Sequence, residues 1–169
     1  TRHWSTVLNG MQTDLGEFKQ ELASIVSFFK SGKSMPNEGA VTDAASAYKD
    51  MERTLGGVPT FLPRFPEMGV AAAWRELKGV QLNPATKLDG KTKELVALGV
   101  AAQIPCAYCI AFHTEAAKLF GATDEEIQEA VHYAKCSLGW SAYLNGIRED
   151  YDTFATELAQ VGEYMSSQA

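Results

Sequence analysis

Two cysteines, a histidine and a glutamate lie close together in one stretch, ELVALGVAAQIPCAYCIAFH, from Glu94 to His113. Cys106 and Cys109 form a Cys-x-x-Cys pair, and His113 follows four residues after the second sulfur. On a helix of 3.6 residues per turn, positions 106, 109 and 113 fall within roughly 60° of one another. One face then presents two thiols and an imidazole. A thiol attacks only as thiolate, and an ordinary cysteine with a pKa of about 8.5 is mostly protonated at neutral pH. Pro105 suits the first position of a helix, so Cys106 is expected in the first turn, near the amide donors and positive end of the dipole. Cys109 is placed to share a proton with His113 one turn on. Glu94, on the preceding apolar helix, can hold the imidazole or remove a proton through it, as a third group does in activated nucleophiles. Once a peroxide has oxidised one sulfur to sulfenic acid, its neighbour can close a disulfide between Cys106 and Cys109.

Two other readings of the same residues stand beside this one. Cys106, Cys109 and His113 are possible metal ligands, with Glu94, His132 or Cys136 as a fourth. The cysteines are otherwise inert thiols in a packing helix. Tyr108 and His132 are candidates to line the site, and Cys136 reads as a small buried hydrophobe.

The chain around them has 169 residues, long enough for one domain with a real core. It is 46% hydrophobic and 21% charged, an ordinary globular composition. A formal charge of -6 and a pI near 5.1 argue against nucleic acid or an anionic membrane as partner. No apolar run approaches the ~20 residues of a membrane span. Three cysteines are too few, and odd in number, for a disulfide-stapled secreted scaffold. These features point to the cytoplasm, although the chain begins at Thr1 without a methionine and a removed N-terminal targeting segment stays open.

The elements that must position the site all read as helices. Trp4, Leu8, Met11, Leu15, Phe18, Leu22, Ile25 and Phe29 step in fours and threes, predicting one amphipathic helix over residues 4–30. Its seam packs either on its own domain or on another subunit. Residues 31–41 read as a linker. This gives an N-terminal helix and linker over 1–35 and a helical domain over 36–169. A helix capped by Thr42 or Asp43 runs to Leu55 and stops at Gly56-Gly57. Three prolines in 58–66 predict a buried irregular turn. Helices follow from Glu67 to about Gln81, from Asp89 to about Gln103, and from Pro105 to Phe120. A capping box at Thr123–Glu126 opens another, reaching about Cys136, and a last region interrupted by Gly139 and Gly146 covers Trp140 to about Met165. No strand alternation appears, so the expected fold is all-α, six to seven helices in the domain plus the N-terminal one.

Taken together, Glu94, Cys106-x-x-Cys109, His113, Gly121-Ala122-Thr123 and the acidic start Glu125-Glu126-Ile127 resemble the alkylhydroperoxidase D-like branch of the carboxymuconolactone decarboxylase superfamily. The likeness is dense from about Lys91 to Ala134 and extends over roughly residues 45–147, through MERTLGGVPTFLPRFP and AAAWRELKGVQL; the N-terminal helix lies outside it. The resemblance implies a thiol-dependent peroxidase with Cys109 attacking the hydroperoxide and Cys106 resolving. Glu94 would be the base, acting through His113. It also implies no cofactor, a thiol or dithiol reductant, and a homo-oligomer (dimer, trimer or hexamer). Tyr108 departs from the pattern, standing where peroxidases of this branch carry a histidine, and keeps a general disulfide oxidoreductase as the alternative. A third reading, a non-enzymatic metal- or partner-binding module, belongs to a different class. Decarboxylases of the superfamily lack the cysteine pair, so lactone decarboxylation is not expected.

Overall fold

Short polar side chains fix where the helices begin. The computed structural model describes residues 1–35 and 39–168, and in chain order it contains α1 (Arg2–Gly10), α2 (Leu15–Lys30), α3 (Ala44–Leu55), α4 (Glu67–Glu76), α5 (Gly90–Gln103), α6 (Ala107–Leu119), α7 (Asp124–Ile147) and α8 (Tyr151–Ser167). Asp14, Asp43, Asp89, Thr123 and Asp150 each accept a hydrogen bond from the third amide of the helix that follows. Each satisfies a donor that no helix can satisfy internally. At Asp43 and Thr123 the third residue bonds back, closing capping boxes with Ser46 and Glu126. α3 ends on Gly56, whose φ of 84° is the left-handed conformation that glycine adopts without strain. Among the described residues there is no strand, and the fold is all-α.

Four expectations need correction. The single helix over 4–30 is two, α1 and α2, separated at Met11–Asp14, where Gln12 has a positive φ and Asp14 caps the second helix. An apolar seam that continues across such a break mimics one helix because both pieces bury the same side. The cysteine helix starts at Ala107, with Cys106 as its N-cap rather than in its first turn. α7 does not stop near Cys136 but runs through Gly139 to Ile147. A helix-interior glycine costs only about 1 kcal/mol, less than a packed helix gains. The turn over 58–66 is buried only in part: it winds into a 3-10 turn at Leu62–Arg64 that buries Leu62, while Pro63 and Pro66 are exposed. Of the linker expected over 31–41, residues 36–38 lie outside the described residues.

Two apolar clusters hold the helices. One joins α3 and α4 through Ala47, Met51, Val70 and Trp74, with Leu62 between. The other joins α1 and α2 to α5 and α6 through Leu8, Phe18, Leu22, Ala101 and the two cysteines. The N-terminal seam thus packs at home, against the helix that carries the cysteines. Within the first cluster Asp50 is fully buried; it accepts from Trp74 Nε1 at 2.8 Å and is paired with Lys78 Nζ at 2.7 Å. α7 lies against α5 at Gly99, where an added Cβ would sit 3.3 Å from that of Ala134. Among the described residues, no helix is long and apolar enough to cross a membrane.

Candidate active site

α5 and α6 form a helical hairpin joined at Ile104–Cys106, and this hairpin brings the distant glutamate to the histidine. Glu94 Oε2 lies 2.7 Å from His113 Nδ1, with both side chains buried. A carboxylate facing Nδ1 accepts a hydrogen bond from the proton on that nitrogen and leaves Nε2 as the available base. The nearest partner of Nε2 is the Thr1 hydroxyl, at 3.5 Å. Gln81 Nε2 donates to the other oxygen of Glu94 at 2.9 Å. Gln81 reaches it from a five-residue π-turn, Leu77–Gln81, that continues α4. Such turns redirect side chains that a regular helix would aim elsewhere.

The two sulfurs are 2.9 Å apart and almost wholly buried. Cys106, as N-cap, accepts from the Cys109 amide at 3.4 Å. Burial opposes its ionisation, but hydrogen bonds from the Cys109 thiol, the Ser5 hydroxyl and the amides of Cys109 and Tyr108 outweigh that and hold it below the ordinary thiol value. Cys109 goes the other way. Burial, then its hydrogen bond and charge repulsion with Cys106, push it up to about 12. Of the two, Cys106 is the readier to ionise and Cys109 the readier to keep its proton. The Cys109 thiol also points at the Thr1 carbonyl, 3.6 Å away.

A cavity of about 370 Å³ reaches this centre. Cys109, His113, Glu94 and Gln81 form its polar wall at the centre, Thr1, Glu21 and Lys93 also line it, and most of the rest is apolar, including Leu22, Met51, Phe61, Trp74 and Phe112. Cys109 lines it and Cys106 does not. Tyr108 lines it too, with its hydroxyl donating to the Thr13 carbonyl and its ring edge-on to Phe18, so it ties α6 to the bend between α1 and α2. His132 is exposed on α7 and is not among the lining residues. Cys136 is half-buried on the same helix instead of buried. Among the described residues, no three or more His, Cys, Asp or Glu side chains are grouped to hold a metal ion. Gln81, Ser5, Asn9 and Thr1 join the site without any sequence signal of their own; Asn9 and Cys106 are 97 residues apart.

Residues 69–149 match the carboxymuconolactone decarboxylase family. That stretch of the chain is similar to the family over its length. A protein of Paracoccus denitrificans described as uncharacterized protein 4 in cox locus is 41% identical over 58 residues, covering 34% of this chain. The match spans about half of that relative, 52% of its length. No solved structure matches the chain. The family segment supplies Gln81, Glu94, both cysteines and His113. Ser5 and Asn9, beside Cys106, come from α1, outside it.

Proposed function

We propose that this protein is a thiol-dependent hydroperoxide reductase in which Cys106 and Cys109 cycle between dithiol and disulfide under a Glu94–His113 proton relay. The observation that carries the reading is the pairing of a buried carboxylate–imidazole couple with two touching sulfurs, only one of which lines an apolar cavity. The family match over residues 69–149 supports it at the coarser level.

In the first half-reaction His113, its Nδ1 proton held by Glu94, accepts the Cys109 proton on Nε2. The Cys109 thiolate attacks the terminal peroxide oxygen, the O–O bond breaks, and the leaving alkoxide takes the proton from the imidazolium. The products are Cys109 sulfenic acid and an alcohol. In the second, the Cys106 thiolate attacks Cys109 Sγ; the S–O bond breaks, the leaving hydroxide takes a proton from solvent to become water, and the disulfide closes. An external thiol or dithiol reduces it again. The apolar walls of the cavity favour an organic, alkyl hydroperoxide over hydrogen peroxide. A cytoplasmic setting rich in thiols fits this cycle.

The test is mass spectrometry of single-cysteine variants after one equivalent of hydroperoxide with a dimedone-type trap. Cys109→Ser should not react. Cys106→Ser should react once and leave Cys109 as a trapped sulfenic acid. Cys136→Ser should behave as the parent. The reverse pattern for the first two would make Cys106 the attacking thiol. Peroxide consumption by all three variants at the parental rate would remove the reading, leaving a general disulfide oxidoreductase or a non-enzymatic module.

A further inference from the structure

Cys106 faces away from the cavity and toward α1. Asn9 Nδ2 lies 3.9 Å from its sulfur, at the long end of a hydrogen bond to sulfur. The same Nδ2 donates to the Ser5 carbonyl oxygen at 2.8 Å and lies 3.4 Å from the Ser5 hydroxyl. A carbonyl only accepts, so this contact fixes which end of the Asn9 amide carries hydrogens. The group turned to Cys106 is therefore a donor. Ser5 itself is buried beneath it. Asn9 is exposed, at the rim of a sulfur that is otherwise shut off.

We propose that Asn9 of the N-terminal helix is a positioning residue that stabilises the Cys106 thiolate and thereby sets how readily the Cys106–Cys109 disulfide is reduced. The inference rests on the redox reading of the pair. A thiolate in the dithiol state accepts a hydrogen bond that a disulfide sulfur accepts only weakly, so a donor there favours the reduced form. Favouring the reduced form makes a disulfide more oxidising. The hydrogen bond to Cys106 from the Ser5 hydroxyl, also on α1, acts in the same direction. The family segment alone would carry the pair without these groups.

The experiment uses the full chain in two measurements. One is the ultraviolet absorbance of thiolate against pH. The other is the dithiol–disulfide equilibrium in glutathione buffers, followed by mass. Asn9→Leu removes the donor at similar size. It should move the lower thiol titration upward and shift the equilibrium about fivefold toward the disulfide, about 20 mV for a two-electron couple. Asn9→Asp puts an acceptor and a negative charge at the same place, and both shifts should be larger. Thr6→Ala, on the exposed face of the same helix, should change neither. Asn9 variants that coincide with the parent in both measurements would overturn the inference, and so would a shift of equal size in Thr6→Ala. Failure of the parent pair to form a disulfide in glutathione would sink the redox reading instead, while the thiolate titration would still decide the role of Asn9.

Discussion

The two sulfurs sit in touching but unlike surroundings, and the difference fits the separate steps proposed for them. Cys109, pushed up to about 12, is protonated at neutral pH and needs a base before it can attack. His113 with Glu94 is the base within reach of the same cavity. Glu94→Gln and His113→Phe should each slow the first oxidation by about 10²–10⁴-fold, the usual worth of general acid–base help. Because both act on one proton, the double variant should be little worse than the poorer single one. Stopped-flow measurement of thiol loss checks this; a loss below about threefold in either variant counts against the relay. In His113→Phe the residual rate should climb with pH across the whole neutral and alkaline range, since only hydroxide then removes the Cys109 proton. Disulfide closure should behave differently. Cys106 is held below the ordinary thiol value, so its thiolate is fully present above that lowered value and is lost as pH falls through it. Closure, followed by decay of the sulfenic acid, should therefore keep its speed to lower pH than an ordinary thiol would allow, and fall as pH drops through the lowered value. Glu94 and His113 were legible because a nineteen-residue separation fits two helices folded back at Ile104-Pro105. Gln81, Ser5 and Asn9 were not, because no local spacing relates them to the sulfurs.

Helix starts were the most legible elements, since an N-cap is a local event between residues three apart. Asp43, Asp89 and Thr123 open helices where the sequence places them. Helix ends were harder, because they depend on what the far side packs against. The break at Met11–Asp14 was hidden by a seam that both α1 and α2 continue. The passage of α7 through Gly139 was hidden by a residue whose penalty is small. Gly99 shows the opposite case, a glycine inside α5 that the packing requires. A leucine there would drive α5 and α7 apart. Gly99→Leu should lower stability by about 1–3 kcal/mol, the range of core overpacking, read as a lower urea midpoint at unchanged slope. Asp50→Ala should cost more, about 3–5 kcal/mol, because it takes the carboxylate from the Trp74 indole and the Lys78 ammonium at once. A loss under about 1 kcal/mol would show that the pair contributes little.

The whole molecule has its apolar surface in an unexpected place. The seam on α1 and α2, read as packing on its own domain or on another subunit, packs on α6, with Leu8, Phe18 and Leu22 buried there. A long run of bare apolar side chains lies at the other end of the chain. On α7, Trp140, Tyr143 and Ile147 are exposed at spacings of three and four; on α8, Phe154, Leu158, Val161 and Met165 continue the same spacing. None of the residues of α7 or α8 is buried. A stripe stepping in threes and fours is the pattern by which helices pair, and soluble monomers rarely leave one this long uncovered. We propose that the homo-oligomer implied by the resemblance forms through α7 and α8. Sedimentation of the intact chain should give a dimer or larger. Leu158→Glu with Val161→Glu puts charges in the middle of the stripe and should yield a smaller species, while leaving the Cys106–Cys109 pair able to form its disulfide. Substitution of Phe29, which packs on its own α3–α4 cluster, by alanine should weaken folding without changing the size of the assembly. An intact chain that sediments as a monomer at micromolar concentration, or a double variant as large as the parent, would show that this surface does not hold copies together.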